Sequence, residues 1–210
     1  MDSRYLLYLA LLLTASVFGL IQFKRQGLQF RIFSCYFTLI FVSEVPTRVT
    51  SYYYQTSMPN YHVLVPLQML FYAWFFSLLL LSGKSRRTVL LVGVLAAFLS
   101  LANSVFLQSI FEMPSNTILL LSLMIISLVL LSFRNLLLRP SEMKILQTPL
   151  FWFNVGSLVF YGFTFTFIGY YNVYGVNLEW AAQFIWIPNM FMYSCYFYAL
   201  YLASKKGSFT

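Results

Sequence analysis

The chain alternates between long apolar stretches and short polar segments. Seven stretches each hold about 20 mostly apolar residues, the length that a helix rising about 1.5 Å per residue needs to cross roughly 30 Å of hydrocarbon. They cover residues 5–23, 30–50, 61–82, 88–107, 116–133, 149–171 and 180–204. This pattern predicts an all-α, polytopic membrane protein in which residues 1–210 form a single domain of seven transmembrane helices.

The composition excludes the other broad classes of protein. Hydrophobic residues make up 60% of the chain and charged residues only 9%, whereas soluble domains carry about 25% charged residues. The two cysteines, Cys35 and Cys195, are too few for a zinc cluster, and both fall in the inner halves of their spans, where a disulfide is not expected. We therefore expect neither a metal nor a cofactor.

The basic residues predict the orientation. Lys and Arg concentrate in the cytoplasmic loops of membrane proteins, and only Arg4 and Arg48 fall on the other side of this chain. The remaining eleven basic residues all belong to one alternating set of loops: Lys24, Arg25, Arg31, Lys84, Arg86, Arg87, Arg134, Arg139, Lys144, Lys205 and Lys206. This asymmetry predicts an outside N-terminus and an inside C-terminus in a bacterial cytoplasmic membrane. The net charge of +8 is then explained by contact with anionic lipids and requires no nucleic acid.

Polar residues inside the predicted spans gather toward the outer side. Such residues cost about 2.5–3.5 kcal/mol each on insertion scales, so they tend to face the bundle interior and to be functional. Because five spans contribute to one layer, we expect an outward-facing polar pocket. Its candidate residues are Glu44, Arg48, His62, Gln68, Asn103, Gln183 and Asn189.

Each candidate also has a simpler interpretation. Glu44 and Arg48, four residues apart, would form an ion pair within one helix, and His62 would lie at the membrane interface. The amide side chains would form hydrogen bonds between helices. Tyrosines on the same side are typical of an interfacial aromatic belt, although some of them would alternatively close the mouth of the pocket. These are Tyr52, Tyr53, Tyr54, Tyr61, Tyr170, Tyr171 and Tyr174.

Two prolines occupy similar positions in the third and seventh spans. Pro66 and Pro188 both lie a few residues below the outer end, where a proline frees a carbonyl group and bends the helix. Both spans are predicted to run from outside to inside. This permits an arrangement of three spans, one linker span and three further spans, which would favour a transporter.

Several familiar chemistries lack the residues that they require. The seventh predicted span has no lysine for a retinal Schiff base, one histidine cannot supply a zinc protease site, and no Gly-x-Ser-x-Gly motif is present. Glu44 with His62 remains a possible acid–base pair for lipid hydrolysis at the outer leaflet. No loop is long enough for a nucleotide-binding domain, so any signal must leave through a partner.

Two segments carry a resemblance to known proteins. The residues Tyr61-His62-Val63-Leu64-Val65-Pro66-Leu67-Gln68 resemble a Tyr-His…Pro-x-Glu segment of a group of small bacterial seven-helix membrane proteins of unassigned function. The segment that opens with Pro149-Leu150-Phe151-Trp152 and ends at Gly156 is similar to the start of that group's sixth span. Gln68 stands where the group tends to have Glu, and Pro188 lies where a histidine is common. The resemblance implies the seven-helix architecture and implies no activity.

Three hypotheses for the function follow. The first, which is not enzymatic, is a receptor-like or sensory module that binds a small or lipid-like ligand in the outer polar pocket and contacts a cytoplasmic or membrane signalling partner through its basic loops. The second is a small-solute transporter built on the 3+1+3 arrangement. The third is a lipid-modifying enzyme of the outer leaflet.

Overall fold

The computed structural model describes residues 3–80, 84–138, 145–174 and 178–205, with the side chains of residues 3, 4, 80, 84 and 178–184 left out. Within these residues the fold is all-α, as predicted. The long helices are α1 (Ser3–Ile21), α2 (Leu28–Tyr54), α3 (Met58–Leu80), α4 (Lys84–Phe106), α5 (Ser115–Leu138), α6 (Pro149–Tyr174) and α7 (Leu178–Lys205). Two short 3-10 turns, Phe23–Arg25 and Ile145–Gln147, precede α2 and α6.

The seven long helices coincide with the seven predicted stretches. The largest difference is at the end of α5, which reaches Leu138 instead of residue 133. Five helices, α2 to α6, are long and apolar enough to cross a membrane. The described part of α1 is apolar but shorter, and α7 carries several tyrosines, which are less apolar than the leucines of α5.

Local sequence signals set several helix ends. Pro149 is the first residue of α6, the position where a missing N–H costs nothing and the fixed φ angle favours a helix. At the end of α2, Gln55 adopts a left-handed conformation with φ of 55°, which stops the helix. The chain then enters α3 after only two further residues, so α2 and α3 are adjacent.

Contacts between aromatic rings show how the helices run. In α1 and α7, Tyr8 packs against Tyr193 and Phe18 packs against Tyr201, so these two helices are parallel. Helices that follow one another in sequence run in opposite directions. The turn Phe23–Arg25 contacts α7. Because α1 and α7 are parallel, this turn and the C-terminal end of α7 lie at the same end of the bundle.

One end of the bundle therefore carries the basic segments, and we call it the basic end. Its described members are Lys24, Arg25, Arg31, Arg86, Arg87, Arg134 and Lys205. Arg31 also stabilises the α1–α2 connection, because it donates hydrogen bonds to the carbonyl oxygens of Gln26 and Lys24. The other end, with the α2–α3 and α4–α5 connections, is called the opposite end.

Six helices form a ring. Going around the bundle, α1 contacts α2, α2 contacts α3, α3 contacts α5, α5 contacts α6, α6 contacts α7, and α7 returns to α1. Helix α4 packs mainly against α3 from outside this ring. The α3–α4 contact is close because Gly93 has no side chain, and a Cβ there would lie 2.1 Å from the Cβ of Ala73. The interior of the ring is thus shaped by six helices.

Candidate functional site

A cavity of about 480 Å³ lies inside the ring, in the half toward the opposite end. This volume is within the range of about 300–1,000 Å³ that is typical of small-molecule sites. Side chains of α1, α2, α3, α5, α6 and α7 line it, and α4 contributes none. The polar lining residues are Tyr8, Tyr36, Ser43, Glu44, Thr47, Ser57, Tyr61, Gln68, Tyr72, Tyr161, Thr164, Asn189, Tyr193 and Tyr196.

Glu44 is the one charged side chain among the described residues that line the cavity. Tyr8 donates a hydrogen bond of 2.7 Å to its Oε1 atom, and Tyr5 donates one of 3.0 Å to Oε2. A carboxylate can accept about four hydrogen bonds. Glu44 therefore keeps acceptor capacity that these two tyrosines do not use.

Arg48 lies outside the cavity lining, although it is one helical turn from Glu44. Its guanidinium carbon is 3.7 Å from the centre of the Tyr5 ring, a cation–π arrangement. The expected ion pair within α2 is thus replaced by an indirect arrangement, in which Tyr5 contacts Arg48 through its ring and Glu44 through its hydroxyl group. The positive charge of Arg48 remains exposed.

The cavity ends toward the basic end at a chain of hydroxyl groups. Tyr161 donates to Tyr72 at 3.3 Å, the hydroxyls of Tyr72 and Tyr196 are 3.1 Å apart, and Tyr196 lies 2.7 Å from the hydroxyl of Ser157. Ser157 donates to the carbonyl oxygen of Phe153. If every hydroxyl donates in this direction, each O–H has an acceptor. The hydrogen-bond donors of these buried tyrosines are therefore satisfied.

Beneath these hydroxyls, tightly packed aromatic rings fill the interior. We call this group the aromatic floor; it consists of Phe33, Phe75, Phe76 and Phe153, all with no exposed surface. The ring of Phe153 is 4.9 Å from that of Phe33 and 4.8 Å from that of Phe75, the spacing of favourable aromatic pairs. Among the described residues, these rings close the cavity toward the basic end.

Two buried polar atoms at the cavity wall have no hydrogen-bond partner among the described residues: Asn189 Oδ1 on α7 and Thr164 Oγ1 on α6. Thr164 is only 4% exposed. Leaving such a group unsatisfied costs about 1–3 kcal/mol. Gln68 of α3 also lines the cavity. The wall thus offers polar groups that a bound molecule can satisfy.

The structure places His62 away from this cavity. Its ring is 5% exposed and lies between α3 and α4, with Nδ1 2.7 Å from Ser104 Oγ and Nε2 3.0 Å from the carbonyl oxygen of Glu112. A carbonyl oxygen can only accept, so Nε2 carries the proton of this hydrogen bond. His62 joins α3 to the α4–α5 connection and is not brought together with Glu44.

Asn103 is likewise outside the cavity. Its amide nitrogen donates to Gln108 at 2.6 Å, and its amide oxygen accepts from Asn116 at 3.2 Å. Gln108 in turn donates to Ser115. These hydrogen bonds organise the α4–α5 connection, which matches the simpler interpretation of Asn103 as a residue that links helices.

The remaining predicted residues have varied positions. Gln183 belongs to α7, but its side chain lies outside the described residues. Pro66 and Pro188 are expected helix breaks, yet α3 and α7 continue through them without interruption. A single missing N–H is tolerated where tertiary packing holds the helix in place. No group of three or more His, Cys, Asp or Glu that could hold a metal occurs among the described residues.

Of the tyrosines that line the cavity, only Tyr61 is among those predicted from the sequence to belong to an aromatic belt or to the pocket mouth. Tyr72, Tyr161, Tyr193 and Tyr196 lie near the middle of their helices and not at an interface. A phenol hydroxyl in the centre of an apolar span requires a partner. Their position in the middle of apolar spans could therefore have identified these tyrosines from the sequence.

Comparison of the chain with protein-family models, with curated proteins and with solved structures finds no match in any of the three. The function must therefore be inferred from the cavity itself.

Proposed function

We propose that this protein is a seven-span membrane protein that acts as a receptor-like binding module for a small or lipid-like ligand. Its basic end faces the cytoplasm of a bacterium, and its cavity opens in the outer half of the membrane. The single observation that carries the proposal is the 480 Å³ cavity within the six-helix ring. It combines a carboxylate and unpartnered polar atoms with apolar walls, as small-molecule sites do.

The aromatic floor favours binding over transport. Phe33, Phe75, Phe76 and Phe153 are completely buried, and within the described part of the chain they close the cavity toward the basic end. A molecule that enters the cavity would therefore leave it through the same opening. Ligand occupancy would instead be read out by the basic segments, which are available to a cytoplasmic or membrane signalling partner.

The enzyme hypothesis loses its proposed acid–base pair. Glu44 receives hydrogen bonds from Tyr5 and Tyr8, whereas both ring nitrogens of His62 contact the α4 side. General acid–base catalysis needs both groups within reach of one substrate. A binding role does not require such a pair of catalytic groups in the cavity.

The transporter hypothesis keeps one supporting observation, which is that α4 lies outside the ring as a linker helix in a 3+1+3 arrangement would. A transporter must also open the aromatic floor toward the cytoplasm. With Phe75→Cys in a background of Cys35→Ser and Cys195→Ala, a binding module predicts no labelling by a charged thiol reagent applied from the basic side. Labelling from that side would favour the transporter.

The binding function is tested by filling the cavity. Val65→Phe places a larger side chain at a buried lining position of α3, whereas Val63→Phe changes a residue of the same helix that is 61% exposed. Dodecyl compounds with ammonium, trimethylammonium, hydroxyl and carboxylate headgroups are added to each purified protein, and the melting temperature is measured. We expect at least one compound to stabilise the wild type and Val63→Phe in a dose-dependent manner, and to have no effect on Val65→Phe. Stabilisation of Val65→Phe to the same extent would contradict the proposal.

A further inference from the structure

The wall between α2 and α3 is thin at intermediate depth. Leu39 of α2 and Leu67 of α3 both line the cavity, yet they are 54% and 50% exposed. Where a side chain contacts both the cavity and the outside, the wall is one side chain thick, and rotation of that side chain would open a window. Both residues lie within helices long and apolar enough to cross a membrane, so such a window would face lipid.

Contacts on either side limit this opening. Toward the opposite end, Asn60 donates a hydrogen bond to Thr50 and joins α3 to α2. Toward the basic end, the rings of Tyr36 and Phe71 stack at 3.7 Å with an angle of 6° between them. Asn60 and Phe71 are eleven residues apart in α3, which corresponds to roughly 16 Å at the rise of an α-helix. The window would therefore be bounded at both ends by contacts between α2 and α3.

The charge of the cavity indicates which headgroup fits. Glu44 is the only charged residue among the described lining residues, and the guanidinium of Arg48 is directed to the Tyr5 ring. An anionic headgroup would find no cation in the lining, and burying an unpaired charge is strongly unfavourable. An ammonium group would pair with Glu44 and would lie beside the rings of Tyr8 and Tyr193, which pack together at 5.6 Å and favour cations.

The rest of the lining suits an apolar body. The apolar lining residues include Ile40, Leu64, Leu121, Phe160 and Met192. Glu44 lies five residues from Leu39 along α2, or roughly 7.5 Å at the helical rise. A molecule with its ammonium group at Glu44 therefore places its chain beside the window. The volume suits a single-chain or drug-sized molecule and is too small for a complete two-chain phospholipid.

We propose that the cavity binds a lipophilic amine, with an ammonium N–H donor on an apolar body, which enters from the outer leaflet through the window between α2 and α3. The ammonium group is held by Glu44, and further polar contacts come from Thr164 Oγ1 and Asn189 Oδ1, the two unpartnered atoms of the wall. This inference rests on the proposed binding function and names its ligand class. The same headgroup chemistry exists in a free amine and in phosphatidylethanolamine, whose headgroup would have to reach in from the bilayer.

The test measures specific binding of tritiated dodecylamine to the full chain in phosphatidylcholine nanodiscs. We expect unlabelled dodecylamine to compete at least tenfold better than dodecyltrimethylammonium, which has no N–H donor, and dodecanoate not to compete. Glu44→Gln should weaken dodecylamine binding at least tenfold. Glu112→Gln, which neutralises an exposed carboxylate outside the cavity, is the matched control and should leave binding unchanged. Nanodiscs that contain phosphatidylethanolamine distinguish the two sources, because competition that depends on Glu44 would identify the lipid headgroup as the occupant.

The proposed window is tested by measuring the rates of ligand uptake and release. Leu39→Trp and Leu67→Trp should slow both uptake and release of dodecylamine at least threefold, whereas Leu95→Trp on the exposed face of α4 should leave the rates unchanged. Equal rates in all three variants would overturn the proposed entry route. Equal binding of dodecylamine and dodecanoate, or full binding by Glu44→Gln, would overturn the ligand class while leaving the binding function intact. If no dodecyl compound binds specifically, the proposed binding function fails as well.

Discussion

Glu44 and His62 are polar residues of neighbouring helices, but their surroundings give them different roles. Glu44 faces the cavity and keeps acceptor capacity beyond its bonds with Tyr5 and Tyr8. Both nitrogens of His62 are already used by Ser104 and by the carbonyl oxygen of Glu112. A group at a cavity that can accept further hydrogen bonds is able to bind a ligand. A group whose hydrogen bonds are already made to other residues stabilises the fold.

Replacement of His62 is predicted to affect stability and not binding. His62→Ala removes both hydrogen bonds of a side chain that is 5% exposed, and each such bond contributes about 0.5–1.5 kcal/mol to stability. We expect a lower melting temperature, together with an unchanged affinity of the folded protein for dodecylamine. Thermal unfolding and equilibrium binding on the same preparation measure the two effects. A large loss of affinity in folded His62→Ala would instead place this histidine in the site.

Depth and helical face explain which polar residues the sequence could place correctly. Depth follows directly from position along a span, and the structure does bring Glu44, Gln68 and Asn189 to one cavity. The face depends on rotation of about 100° per residue. Because His62 and Gln68 are six residues apart, they point to different sides of α3, toward α4 and toward the cavity. Sequence position alone did not show which face of α3 meets the ring interior.

At the scale of whole helices, close contacts depend on residues without side chains. Helix α6 approaches α7 where Gly156 meets Cys195 and Met192, and a Cβ at Gly156 would lie 2.8 Å from the Cβ of Cys195 and 3.1 Å from the carbonyl oxygen of Met192. Neither neighbouring atom is the end of a flexible side chain. Small residues at such crossings let membrane helices pack closely.

Adding a methyl group at this crossing is predicted to destabilise the bundle. Gly156→Ala should lower the free energy of unfolding by about 1–3 kcal/mol, the usual cost of overpacking. Gly162→Ala, on the same helix, is the matched control because a Cβ there meets nothing within 4 Å. It should be neutral or stabilising, since alanine favours a helix by up to about 1 kcal/mol over glycine. Unfolding in mixed micelles measures both variants, and equal stabilities would contradict the importance of this contact.

The helices themselves were predictable because each apolar stretch is long enough to determine its own structure. The arrangement of the helices was not, since a continuous apolar surface gives little information about which neighbour it contacts. The sequence predicts that Asn103 belongs to the pocket, but the structure places its helix, α4, outside the ring. In a lipid environment an apolar face is suitable for both positions, so hydropathy cannot distinguish them.

For the molecule as a whole, charge asymmetry and helix directions point to one orientation. The described residues Lys24, Arg25, Arg86, Arg87 and Arg134 lie at one end, which the proposed orientation places in the cytoplasm. The cavity lies toward the other end. The proposed window between α2 and α3 would therefore open to the outer leaflet, and the orientation decides which lipids and solutes reach it.

The orientation is predicted to be detectable by single cysteines at the two ends. In a background of Cys35→Ser and Cys195→Ala, Gln55→Cys lies in the α2–α3 connection and Gln147→Cys lies in the turn before α6; both positions are exposed. A membrane-impermeant maleimide applied to intact cells should label Gln55→Cys, and it should label Gln147→Cys only after the membrane is permeabilised. The opposite labelling pattern would show that the protein has the reverse orientation in the membrane, and the window would then admit molecules from the inner leaflet. In that case a ligand from the cytoplasmic side would have to replace the outer-leaflet amine, because the described rings of the aromatic floor separate the cavity from the basic end.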